Sequence, residues 1–146
     1  MDSDVQETRS VPLSNVVVTA DSLRELVDIL ETAIAQIGVD KDRFSFELQT
    51  ADGTRYSSKS RQILSKNGIL DNRQVDSVTV RVGDFTRDIE VEVRVTHGDA
   101  SSMWNRISVR AKDSMWVSGL LRKFEEAIDN WEKPPSWPTR HRLLLF

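Results

Sequence analysis

The chain has no cysteine, a single tyrosine and only two histidines among 146 residues. Without thiols there is no disulfide, no thiolate nucleophile and no Cys-ligated zinc, a usage compatible with the cytosol. Its six glycines are scattered. Neither Gly-x-Gly-x-x-Gly nor Gly-Lys-Ser/Thr occurs, so the standard loops that cradle phosphate through backbone N–H groups are absent. No apolar run approaches the roughly 20 residues that span a bilayer. Residues 1–11 carry Asp2, Asp4 and Glu7 in place of a basic, then apolar, signal sequence. The net charge of −3 is too small to create a global field that draws nucleic acid or an acidic membrane.

What is present is alternation. Val78, Val80 and Val82 alternate with Ser77, Thr79 and Arg81. Ile89, Val91, Val93 and Val95 alternate with Glu90, Glu92 and Arg94, and Ile107, Val109 and Ala111 with Arg106, Ser108 and Arg110. A period of two gives each strand one apolar and one wet face, and β-branched residues suit a pleated, half-buried surface. The connections from Gly83 to Asp88 and from Thr96 to Met103 are too short for crossovers, so the three strands form antiparallel hairpins.

Two stretches change to helical spacing. Leu23, Leu26, Val27, Leu30, Ala33, Ile34 and Ile37 form one apolar stripe, with Ser22 and Glu25 as a capping box and Gly38 as the stop. Val117, Leu120, Leu121, Phe124, Ile128 and Trp131 form the second stripe, with Asp113 or Ser114 as its cap and Pro134–Pro135 as its end. Gly119, inside this second helix, is expected to mark a close approach to the sheet. Between the helices, Phe44, Phe46 and Leu48 alternate as a strand. Asp52-Gly53 signals a hairpin turn to a brief strand at Thr54–Ser57. Residues 60–67 read as a short helix, residues 69–74 as a connector, and Asn15–Thr19 as a further short strand.

These elements predict an α+β fold: an antiparallel sheet of five or six strands with two long amphipathic helices on one face. The expected order is β-α-β-β-(short α)-β-β-β-α. Residues 1–11 are expected to be a disordered leader, 12–133 a single domain, and 134–146 a proline-rich, basic and apolar tail.

Chemistry-bearing residues are sparse. A small loop site could be imagined from His97, Asp99 and Asp113, since imidazole titrates near neutrality and a carboxylate can orient it. No serine sits in a nucleophile-elbow context, and Gly98-Asp99 are ordinary turn residues. Asp84 and Asp88 lie in one loop and Asp99 at the opposite end of the shared strand, so these carboxylates do not converge on a metal. No cofactor or metal site is implied. Arg81, Arg94, Arg106 and Arg110 fall on the wet face, where a basic sheet with aromatics could hold single-stranded nucleic acid. No aromatic falls on that face within the strands, and Glu90 and Glu92 sit among the arginines.

The remaining signal is aromatic and apolar. Trp104 and Trp116 are candidate interface anchors. The tail brings Trp137, Arg140, Arg142 and the apolar end Leu143, Leu144, Leu145 and Phe146 together. It reads as a contact with a protein partner, as a segment packed back on the domain, or as a shallow contact with a membrane. The run of strand, Asp-Ser-Met-Trp-Val helix start, proline-basic segment and apolar end is similar to cytoplasmic domains that precede membrane helices. That likeness implies a cytoplasmic location at the inner face of a membrane. The function expected on these grounds is a non-catalytic binding or interaction module.

Overall fold

In the computed structural model, which describes residues 5–13, 18–66, 68–96, 105–131 and 144–145, the chain opens with strand β1 (Glu7–Pro12) and the short strand β2 (Val18–Thr19), followed by helix α1 (Ala20–Gln36). A hairpin comes next, β3 (Phe44–Thr50) and β4 (Arg55–Ser58), then the one-turn helix α2 (Ile69–Asn72). Strands β5 (Val75–Asp84), β6 (Ile89–Thr96) and β7 (Arg106–Ala111) lead into helix α3 (Ser114–Asp129), and β8 (Leu144–Leu145) closes the order. Short 3-10 turns occupy Lys41–Arg43, Arg61–Leu64 and Phe85–Arg87.

Six strands form one sheet in the order β1-β7-β6-β5-β3-β4. Every pairing in it is antiparallel. Val80 lies between Phe46 and Val93, and Val93 in turn faces Ile107, so the apolar residues of four strands stand in line. These residues share one core with the apolar stripes of α1 and α3. Both long helices therefore cover the same face of the sheet, and the other face meets solvent. Phe46 and Phe124 are the largest fully buried side chains among the described residues. Burying each such side chain contributes roughly 1.5–3 kcal/mol. The helices also meet directly, where the Trp116 indole N–H donates to the carbonyl of Ala33 at 3.3 Å.

The α+β class, the antiparallel sheet and the two long helices agree with the sequence reading. Several local expectations do not. Residues 7–11, expected within a disordered leader, belong to β1, which pairs with β7 from Glu7↔Ala111 to Pro12↔Arg106. Its only buried side chain is Val11; the strand is otherwise held by backbone hydrogen bonds at the sheet edge and by Arg9 donating to the Ser118 hydroxyl on α3. β2 is not part of the main sheet; it pairs in parallel with β8. Helix α1 starts two residues before the expected cap. Thr19 is the N-cap, its Oγ1 accepting from the Ser22 N–H at 3.0 Å, and Ser22 is buried inside the first turn. Residues 61–64 are a 3-10 turn, and α2 lies in the expected connector.

Helix α3 ends at Asp129, before Trp131 and the prolines, with Trp131 N–H donating to the Ile128 carbonyl at 3.0 Å. Gly119 faces away from the sheet: it is exposed, and a Cβ there would meet no neighbouring atom within 4 Å. Its cost of about 1 kcal/mol against Ala in a helix interior has no packing compensation.

Two arginines and one asparagine fasten the periphery. Arg24 on α1 donates to the Leu64 carbonyl at 2.6 Å and to the Asp71 carboxylate at 3.1 Å, holding the 61–72 segment against the helix. Arg87 donates to the Ile37 carbonyl beyond the end of α1, where backbone carbonyls lack intrahelical partners. Asn105 is fully buried. It accepts from the Thr96 N–H at 2.7 Å and donates to the Thr96 carbonyl at 3.2 Å, closing the ends of β6 and β7 as a ladder pair would.

Candidate functional site

Asp113 is committed to structure. Its carboxylate accepts from the backbone N–H groups of Met115 at 3.0 Å and Trp116 at 3.2 Å, capping α3 as the sequence predicts. Its imagined partners His97 and Asp99 lie outside the described residues, as do Trp104, Trp137, Arg140, Arg142, Leu143 and Phe146. Trp116 is half-buried, with its ring nitrogen bonded to α1, so it joins the helices. The backbone of Leu144–Leu145 runs parallel to Val18–Thr19, beside the start of α1. Among the described residues, no cluster of three or more acidic or histidine side chains could hold a metal ion. No helix among them is long and apolar enough to cross a membrane.

The solvent face of the sheet carries an ordered set of charges. Arg81 donates through two nitrogens to Glu92, at 3.0 and 2.5 Å, and the partners are opposite each other in the β5–β6 register. These bonds raise the pKa of Arg81 above its ordinary value. Arg94 lies 3.3 Å from the other Glu92 oxygen, and Arg110 lies 3.1 Å from Glu90 across the β6–β7 pair. The two cross-strand pairs, Arg81–Glu92 and Arg110–Glu90, contribute about 0.2–1 kcal/mol each, and Arg94–Glu92 is a pair within β6. Arg106, opposite Arg94, has no carboxylate within 4 Å among the described residues.

At one end of this face lies a cleft of about 210 Å³. Its lining includes Ser45 on β3 and Gly83 on β5, whose small side chains leave space between Arg81, Glu90 and Arg110. Arg43, Phe85 and Ile89 complete its apolar and cationic sides. Phe85 is 92% exposed, an unusual setting for an aromatic side chain. The turn that carries it is held by hydrogen bonds and an ion pair. Asp84 accepts from the Thr86 N–H at 3.0 Å and hydroxyl at 2.6 Å, bonds that push its pKa below the ordinary carboxylate value. Asp88 ends the turn in the left-handed conformation, at φ 53°, and is paired with Lys112 at 2.9 Å.

The two loop carboxylates considered as metal ligands are thus a turn cap and an ion-pair partner. Arg43 differs: no carboxylate lies within 4 Å of it among the described residues, although the Asp84 charge is near enough to feel it. Arg43 and Phe85 were not singled out from the sequence. The available signal was an aromatic residue in the polar turn Gly83-Asp84-Phe85-Thr86-Arg87-Asp88. The cleft also depends on β3 lying beside β5, which strand periodicity does not specify.

No family model, curated protein or solved structure matches the chain.

Proposed function

We propose that this domain is a non-catalytic interaction module whose docking surface is the open sheet face, centred on the cleft beside Phe85. The observation that carries this reading is the exposed Phe85 on a hydrogen-bonded turn at the rim of a concave surface lined by three arginines and three carboxylates. Aromatic and arginine side chains dominate the energetics of protein interfaces. A rigid turn presents its ring without the entropy cost of ordering a loop on binding. The helix-covered face serves the core, which leaves the wet face to meet a partner. The tail reading from the sequence takes second place, because Leu144–Leu145 is engaged with β2 of the same chain.

The test is affinity capture from cells that produce the protein, comparing the wild type with Phe85→Ala and Gly83→Val. Gly83 has an ordinary backbone conformation, and a Cβ there would meet the Ile89 carbonyl at 3.4 Å, an ordinary contact. The Cβ is therefore accommodated, and the two further methyl groups of valine take up space in the cleft. A partner retained by the wild type and lost with both variants supports the reading. A partner retained equally by all three assigns the interaction to another surface.

A further inference from the structure

The interaction reading leaves open what enters the cleft. We infer that it receives an aromatic side chain from a peptide segment that carries flanking carboxylates. This inference rests on the module reading above and names the chemistry of its partner.

The volume argues for a side chain. About 210 Å³ is below the 300–1,000 Å³ typical of small-molecule pockets and suits one ring. The lining argues for an aromatic one. Arg81 and Arg110 are held by Glu92 and Glu90, so their charge is largely compensated while their planar guanidinium groups are oriented. A guanidinium fixed in this way stacks on a ring with little loss of side-chain entropy. Phe85 and Ile89 add apolar surface beside them. An aliphatic side chain would gain the apolar contact but not the stacking.

Charge complementarity supplies the flanking carboxylate. Glu90 is matched by Arg110, Asp88 by Lys112, and Asp84 by Thr86 and by Arg87 at 3.7 Å. Arg43 has no carboxylate within 4 Å among the described residues and shares the field of Asp84 only at longer range, which leaves it open to a direct ion pair at the rim. A carboxylate next to the docked ring would meet it, and a cationic segment would forgo that pair.

The experiment is a titration of the ¹⁵N-labelled full chain with a blocked Asp-Trp-Asp tripeptide. Asp-Leu-Asp and Lys-Trp-Lys serve as comparisons. Asp-Trp-Asp is expected to give saturable shifts at the amides of Gly83, Phe85 and Ile89. Each comparison peptide is expected to bind about tenfold more weakly, the factor that 1.4 kcal/mol represents. Gly83→Val should abolish the saturable shifts. Arg43→Gln, at an exposed position outside the core, should remove the preference for Asp-Trp-Asp over Lys-Trp-Lys while keeping weak binding of the ring.

Equal binding of Asp-Leu-Asp overturns the aromatic assignment, and equal binding of Lys-Trp-Lys overturns the acidic one. Absence of saturable shifts in the cleft overturns both. In that case, a partner still captured through Phe85 would show that the docking surface stands and only its occupant was misread.

Discussion

Lys112 Nζ lies 2.9 Å from the Asp88 carboxylate, tying the turn that presents Phe85 to the junction between β7 and α3. Asp88 is also the only non-glycine residue with positive φ among the described residues. The left-handed conformation costs most residues about 1–2 kcal/mol, and Asp tolerates it better than β-branched residues do. Asp88→Val is therefore expected to lose roughly 1–3 kcal/mol, combining the backbone term with an exposed ion pair. Lys112→Ala removes the pair while leaving the conformation of Asp88 available, and should cost about 1 kcal/mol. Urea denaturation separates the two; equal losses would mean that the conformation of Asp88 is not what the turn depends on.

Asn105 makes a stronger prediction. It is fully buried and satisfies both backbone groups of Thr96. Asn105→Ala leaves that N–H and carbonyl without partners, and each buried unsatisfied group costs about 1–3 kcal/mol. A loss of about 3 kcal/mol is expected, a large share of a typical domain's stability. A loss below about 1 kcal/mol would show that solvent reaches Thr96 when the amide is removed.

The legibility of this fold follows where its apolar residues fall. Strands β3, β5, β6 and β7 were readable because each buries alternate large side chains in an otherwise polar stretch. The stripes of α1 and α3 were readable for the same reason. β1 was not, because Val11 alone marks its buried side, and it is otherwise bound by backbone pairing with a strand about a hundred residues away and by Arg9 donating to the Ser118 hydroxyl on α3. The cap of α1 was misplaced because Thr19 and Ser22 both carry a hydroxyl suited to the role, and their two oxygens lie 2.9 Å apart. Of the site, the arginine–glutamate pairs on the wet face were legible from alternation. The cleft was not, since it arises from Ser45 and Gly83 on strands whose adjacency is a matter of topology.

Acid stability should report on the β3–β4 turn. Asp52 accepts from the Thr50 hydroxyl and from the Thr54 N–H at 3.0 Å, and these bonds lower its pKa from 3.8 to about 2. A carboxylate whose folded pKa is depressed stabilises the fold above its unfolded value, and the contribution is lost as pH falls through the folded one. Asp52→Asn should therefore be less stable than the wild type at pH 6, with the difference shrinking between about pH 4 and pH 2. Chemical denaturation at pH 6 and pH 2 checks this. A difference that does not change with pH would assign the effect of the substitution to turn geometry alone.

The pairing of β8 with β2 predicts how the C-terminal segment behaves near lipid. If Leu144–Leu145 is held against Val18–Thr19, neither the full chain nor one stopped after Pro135 should sediment with phosphatidylcholine–phosphatidylserine vesicles. The amides of Val18 and Thr19 should exchange faster in the shortened chain. Sedimentation of the full chain alone, with no change in exchange, would restore the membrane contact that the apolar end first suggested.

The central claim is that the open sheet face docks a partner at Phe85. Site-specific photo-cross-linking tests it most directly. A benzophenone side chain is placed at position 85 in one version of the full chain and at position 125 in another. Phe85 is exposed on the turn between β5 and β6, and Glu125 is exposed on α3. A discrete adduct is expected from position 85 that is absent from position 125 and is lost when Gly83→Val obstructs the cleft. Adducts from position 125 alone, or from position 85 with the cleft obstructed, would contradict it.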